Sequence, residues 1–203
     1  MKKTILTLML AAVTAVSSFA QASIGAGYLE SYRKSGSTSS SQSGFYFGVD
    51  TNIGNCGDLE VKPGVYIEYV TSSEAADFFG FAGASGKSTE MYLDIPVNFN
   101  YGVDLGGAKL SFYAGPTFSL GCLSTIESSA SVLGVSTGTR TVNQYANNSE
   151  YSRFDLMVGG GVSLDISEIR LSAGYNYGLV DRYGSSSFDL HRSNLHFGVA
   201  YLF

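Results

Sequence analysis

An all-β fold, a transmembrane antiparallel up-and-down β-barrel of about eight strands, is what this sequence predicts, and three observations predict it. The last nine residues place Leu195, Phe197, Val199, Tyr201 and Phe203 on one face of a strand, and the run stops on an aromatic. About eight such alternating segments recur, joined in turn by short and long links. Charged residues make up only 14% of the chain, well under the ~25% of soluble domains, while aromatics reach 13% and glycines number 25. A soluble barrel shows the same alternation with its apolar face turned inward, so alternation alone does not choose between the two. The terminal aromatic, the leader and the rhythm of the links choose the membrane form.

Residues 1–22 read as a secretory signal peptide. Lys2 and Lys3 precede an apolar stretch from Ile5 to Val16, and small residues follow at Ser18, Ala20 and Ala22, with cleavage after Ala20 or Ala22. That apolar run of roughly 12 residues is short of the ~20 a spanning helix needs, so insertion must be by strands. No cysteine follows closely enough for a lipoprotein anchor. Residues 23–203 then form one barrel domain, with no linker or shift in composition inside it.

The strands follow in order. Ser23 to Arg33 opens the wall; Gly44 to Ile53 turns Phe45, Phe47 and Val49 to lipid; Leu59 to Thr71 turns Val65 and Ile67. Thr89 to Tyr101 presents Met91, Leu93, Ile95, Val97 and Phe99, and Lys109 to Gly121 presents Leu110, Phe112 and Phe118. Tyr151 to Ile166 carries Leu156, Val158 and Val162, Glu168 to Val180 carries Leu171, Ala173 and Tyr175, and Asn194 to Phe203 closes the set. Gly54 to Asp58, Gly102 to Ala108 and the vicinity of Ser167 are short turns. Lys34 to Ser43, Ser72 to Ser88, Cys122 to Glu150 and Asp181 to Ser193 are expected to be longer polar loops. Pro63, Pro96 and Pro116 fall inside strands, where the missing N–H removes a ladder donor, so bulges are expected there.

The final strand resembles the C-terminal targeting strand of Gram-negative outer-membrane β-barrels, which the barrel assembly machinery reads through the terminal aromatic, here Phe203, and the one two residues before it, Tyr201. Leu93-Asp-Ile-Pro-Val-Asn-Phe-Asn-Tyr101 followed by Phe112-Tyr-Ala-Gly-Pro-Thr117 resembles the paired "IP…Y" and "GP" strands of the small outer-membrane β-barrel domain family, which includes porin-family and PorT-like proteins and the OmpX and OmpA type of barrel. The resemblance implies an outer-membrane location, contact with outer-membrane lipid and lipopolysaccharide, and, through PorT-like members, an accessory role in protein secretion. It brings no functional residues. An even strand count puts both termini in the periplasm.

Candidate chemistry begins in the lumen. Asp50, Asp94, Asn98, Asp155, Asn176, His196 and four tyrosines, Tyr46, Tyr66, Tyr92 and Tyr113, are expected to face inward, with a charge network among Glu60, Lys62, Glu68, Glu90, Lys109, Arg153 and Arg170. Glu68 and Glu90 are expected to meet Arg153, and Glu60 to meet Lys62, Lys109 and Arg170. An eight-stranded barrel is just wide enough for side chains to fill it, so these charges either plug the bore or line a narrow pore. The triple glycine Gly159 to Gly161 is expected to make room for bulky lumen neighbours or to bend the strand. At the outer rim, Arg33, Lys34, Arg182 and Arg192 are expected to cluster as a contact for lipopolysaccharide phosphates.

Other chemistry finds little support. With the leader removed, 10 basic residues face 17 acidic ones, a net charge of −7 that excludes a broad nucleic-acid surface. Phe79 to Ser88 misses phosphate-loop spacing by one residue and reads as a loop tip. Asp189, His191 and Ser193 lie close in sequence without the nucleophile, base and orienter geometry of a hydrolase, so no enzyme activity is expected, and neither histidine has metal-ligand spacing. No cofactor is expected. Cys56 and Cys122 are expected at opposite ends of the wall, as two free thiols. The sequence therefore reads as a monomeric, plugged barrel with an unknown surface partner for its extracellular loops. A small porin and a secretion accessory are the alternatives.

Overall fold

Alternation is realised as strands throughout the computed structural model, which describes residues 22–36, 38–78, 82–132, 135–146, 151–183 and 189–203. Apart from Ala22, the signal peptide lies outside the described residues. The strands are β1 (Ala22–Ser35), β2 (Thr38–Thr51), β3 (Gly54–Cys56), β4 (Leu59–Phe78), β5 (Ala82–Asp104), β6 (Ala108–Val132), β7 (Val135–Asn143), β8 (Phe154–Ile166), β9 (Ile169–Gly178) and β10 (Leu190–Leu202). Every pairing is antiparallel, and the order β2-β1-β10-β9-β8-β6-β5-β4 closes on itself because β2 also pairs with β4. Eight strands thus form the barrel, with β3 and β7 as additions to β4 and β6. The seam joins the first and last wall strands, from Ser23 opposite Leu202 to Ser35 opposite Leu190.

The two faces decide the solvent. Phe112 is 51% exposed and Leu171 49%, whereas Glu90 is 0% and Asp155 1%, so apolar groups point out and charges point in. This is the reverse of a soluble barrel, and with the wall's backbone largely paired strand to strand it turns a mainly apolar belt to lipid. Phe45, Phe47, Ile95, Phe99, Phe118, Val158, Val162, Tyr175, Phe197 and Val199 share the outer belt. Val49 departs from its expected exposure and is buried between its register partners Ile24 and Val65.

Three of the expected loops are corrected. Residues in Lys34 to Ser43, Ser72 to Ser88 and Cys122 to Glu150 largely continue as strands, because Ser and Thr in these segments pair across hairpins as readily as they sit in loops. β4, β5 and β6 run for 20, 23 and 25 residues, against the ~9 to 11 that cross a bilayer when tilted. Together with β7 they extend as a four-stranded sheet well beyond the belt. Ala82 to Ser88 is accordingly part of β5 and no loop tip, while 79–81 lie outside the described residues. The strand expected from Tyr151 starts at Phe154, and Tyr151 makes an isolated bridge to Tyr183.

The prolines are accommodated without bulges of their own. The β4–β5 ladder omits Gly64 and Val65 opposite Ile95 and Pro96 and resumes in the same register; β5–β6 does the same at Val97 and Asn98 opposite Gly115 and Pro116. Proline removes a donor, but the flanking pairs fix the register. Gly115 lets the two backbones close, since a Cβ there would collide with the Val97 carbonyl. The shift in this part of the wall lies at Met91/Tyr92, where Cys122 is the extra residue.

Candidate functional site in the barrel lumen

At the end of the barrel that holds Ala22 and Phe203, Glu60 pairs with Lys62 at 2.7 Å and with Lys109. Arg170 does not join them. Its Nε and NH2 donate to the two oxygens of Asp165 at 2.8 and 3.0 Å, and its NH1 reaches Asp50 at 3.4 Å, because Arg170 and Asp165 are direct partners across the β8–β9 turn. Asp50 also accepts from the Tyr66 hydroxyl at 2.5 Å. Two cavities of about 260 and 120 Å³ lie in this half of the bore, and Asp50, Lys62 and Arg170 line both.

Next come the rings. The Tyr113 hydroxyl lies 3.2 Å from His196 Nε2, and Tyr46 meets both Tyr66 and His196 edge-on. Glycines make the space. A Cβ on Gly161 or Gly174 would strike the Tyr113 hydroxyl, one on Gly198 the Tyr46 hydroxyl, and one on Gly159 the Asn176 side chain. Making room is therefore the role of Gly159 and Gly161.

Above the rings the bore closes in two layers. In the first, Arg192 NH1 donates to Glu68 at 3.1 Å, its NH2 donates to Ser119 at 2.8 Å and lies 3.6 Å from Asp94, and its guanidinium stands 3.7 Å over the Tyr92 ring. Ser119 donates to Asp94 at 2.5 Å, and Asn194 donates to Glu68 at 3.0 Å. In the second layer Glu90 pairs with Arg33 and accepts from Tyr92 at 2.6 Å, Ser124 at 2.7 Å and Tyr151 at 3.2 Å. Arg182 donates to the hydroxyls of Tyr92 at 2.7 Å and Tyr145 at 2.8 Å and lies over the Tyr151 ring.

Loop segments supply Tyr145, Tyr151 and Arg182, so the connections fold into the bore and cap it. Asp181 sets that fold: its carboxylate accepts the backbone N–H groups of Tyr183 and Leu190 at 2.9 and 2.8 Å, and these bonds hold it below the usual aspartate range. Burial, reinforced by the Glu90 carboxylate, pushes the Tyr151 hydroxyl up to about 12. Burial by itself would lower the Arg182 guanidinium, but the surrounding tyrosines and Glu90 raise it above its ordinary value, so the cap keeps its charge.

The expected residue sets are therefore redistributed. Arg153 is not in the bore: it is exposed, bonded to the Tyr145 carbonyl at 3.1 Å and set over the Tyr145 ring. Glu68 and Glu90 are met by Arg192 and Arg33. Arg182 and Arg192, expected on the rim, are both 1% exposed, and only Lys34 of that set is exposed. Arg192 follows the inward phase of Asn194 and His196, a signal the sequence already carried. Arg182 lies in a loop, and nothing in its local pattern marks it as inward. Tyr145, Tyr151, Ser124 and Ser119 were not anticipated. His191 and Ser193 share the outward face of β10, where His191 stacks on Tyr177, and no hydrogen bond joins them among the described residues. Cys56 and Cys122 are free thiols. No group of three or more potential metal ligands occurs among the described residues.

Solved structures of similar fold include the attachment invasion locus protein Ail of Yersinia pestis in complex with the heparin analogue sucrose octasulfate, at 15% identity over 90% of this chain and 98% of that one, with a TM-score of 0.48. Neisserial surface protein A shares 17% identity over 90% of this chain and 97% of its own, with a TM-score of 0.48. The outer membrane enzyme PagL shares 12% over 90% and 99%, with a TM-score of 0.39. Among curated proteins none matches by sequence. The family model of the outer membrane protein beta-barrel domain matches residues 12–184. With its closed eight-stranded wall, apolar outside and charged within, the chain belongs to that family and is a β-barrel protein of the Gram-negative outer membrane.

Proposed function

We propose that this outer-membrane barrel is plugged and monomeric, that both termini face the periplasm, and that the sheet formed by the extensions of β4, β5, β6 and β7 is its recognition surface outside the cell. One observation carries the reading: two stacked layers of paired arginines and carboxylates, Arg192 with Glu68 and Arg33 with Glu90, fill the bore beneath a cap made by the loops. Charges at that depth persist only when paired, and paired they leave no aqueous path for ions. The surface role draws on the sheet, along which Glu74, Ser85, Ser129 and Arg140 line an open, shallow depression running from β4 to β7. Contact with lipopolysaccharide falls to Lys34, and the exposed Phe203 is available to the assembly machinery.

A small-porin reading draws on the two cavities in the bore. Single-channel recording of the refolded protein in planar bilayers separates the two. Silence from a barrel that migrates as folded on a cold-SDS gel is expected; steady conductance sinks the plugged reading.

A further inference from the structure

The 260 Å³ cavity at the end of the bore that holds Ala22 and Phe203 is lined by six charged side chains, and they sort by sign. On the β4 and β6 side Glu60 sits between Lys62 and Lys109, a set with one positive charge in excess. On the β2, β8 and β9 side Arg170 sits between Asp165 and Asp50, a set with one negative charge in excess. Lys109 and Asp165 stand directly opposite each other in the β6–β8 ladder, yet each turns to its own set. No ion pair among the described residues joins the two sets. The two excess charges therefore persist as a dipole across the cavity, in a setting where water screens them poorly.

Such a field selects its occupant. A lone cation is drawn to the aspartates and opposed by the lysines, and a lone anion meets the reverse. A molecule that carries both an ammonium and a carboxylate is attracted at both ends. Size narrows the class, since 260 Å³ falls short of the ~300–1,000 Å³ of pockets for drug-sized ligands and suits an amino acid or a dipeptide. Access is from the Phe203 end, where the Lys109 side chain is 38% exposed. Asp50, Lys62 and Arg170 are largely buried and also line the 120 Å³ cavity, whose far side is Glu68 and Asp94 of the plug. What enters at this end therefore leaves by it.

We propose that this cavity is a blind binding site for a small zwitterion, an amino acid or dipeptide with a free ammonium and a free carboxylate, which reaches it from the periplasm. The carboxylate lies against Lys62 and Lys109, the ammonium against Asp50 and Asp165. Blindness and periplasmic entry rest on the plugged reading, whose own failure shows as ion conductance in planar bilayers; the site stands or falls on binding. Refolded protein in lipid nanodiscs is titrated with alanylalanine and followed by saturation-transfer NMR, with its N-acetyl and C-terminal amide derivatives as probes that each lack one charge. The free dipeptide is expected to saturate the protein and each blocked form to bind about tenfold more weakly, the scale of one charge-assisted hydrogen bond. Lys109→Gln leaves Glu60 balanced by Lys62, so the free and amidated forms should then bind alike. Asp165→Asn leaves Arg170 balanced by Asp50, so the free and acetylated forms should then bind alike. Neither change strands a charge, and either variant suffices if the other fails to fold. Folded wild-type protein that gives no saturable transfer overturns the proposal, as does a blocked dipeptide that binds it as well as the free one, or a folded variant that keeps the full preference.

Discussion

Arg192 reaches across the bore from β10 to Glu68 on β4 while its guanidinium lies 3.7 Å over the ring of Tyr92. A planar, forked cation is needed to hold a carboxylate and cover a ring at once. Arg192→Lys keeps the charge but loses the forked hydrogen bonds and the cover over the ring, and is expected to destabilise the folded barrel by about 1–3 kcal/mol, the range for a lost buried hydrogen bond. Urea unfolding in lipid vesicles measures it, and a change below about 1 kcal/mol, the scale of a surface pair, would show the layer to be loosely held.

Glu90 gathers three hydroxyls and Arg33. Glu90→Gln leaves Arg33 buried without its counter-charge and is expected to cost about 3–5 kcal/mol. Adding Arg33→Gln should recover a large part, so the double variant falls short of the sum of the singles. Strict additivity in the cycle would mean that the pair contributes nothing beyond its separate parts.

Gly198 and Tyr46 are matched by shape. The nearest obstacle to a Cβ at Gly198 is the Tyr46 hydroxyl. Gly198→Ala is therefore expected to destabilise by about 1–3 kcal/mol, the usual range for overpacking. Tyr46→Phe in the same chain should relieve most of that loss. If the second change deepens the defect, the obstacle lies in the backbone.

The Asp181 carboxylate is held low by two backbone donors that exist only in the folded loop. Its folded pKa lies below its unfolded one, so its contribution to loop closure is complete above the unfolded value of ~3.9 and is lost as pH falls through the folded value. Carbonyl NMR of Asp181 should titrate with a midpoint below ~3.9. A midpoint at or above that would mean the loop is open in solution.

Orientation is testable with thiols. Cys56 sits at the end with Ala22 and Phe203, and Thr139 is exposed on β7 at the other. A membrane-impermeant maleimide applied to intact cells should label Thr139→Cys in a Cys122→Ser background and spare Cys56. Labelling of Cys56 alone would invert the barrel.

Period-two alternation located all eight wall strands, because in a membrane each wall residue must choose between lipid and lumen and the choice alternates without exception for long stretches. It located their ends poorly. Beyond the belt no lipid enforces the contrast, and a run such as Ser39-Ser40-Ser41 reads as loop although it pairs with β1. The same loss of contrast misplaced Arg192: continuing the phase of His196 and Asn194 two residues further turns it inward, but only if β10 is known to begin at Leu190. Arg182, Tyr145 and Tyr151 were beyond such reasoning, since the folding of loops into a bore depends on partners distant in sequence.

The seam between β1 and β10 has a temporal consequence. Its thirteen registered positions, from Ser23–Leu202 to Ser35–Leu190, join the wall strand that is made first to the one that is made last. Closure cannot occur until β10 is in place, and until then β1 and β9 are left with unpaired edges. A chain that lacks β10 thus keeps β1 exposed indefinitely, so late truncations should produce aggregation and proteolysis ahead of any loss of binding at the surface.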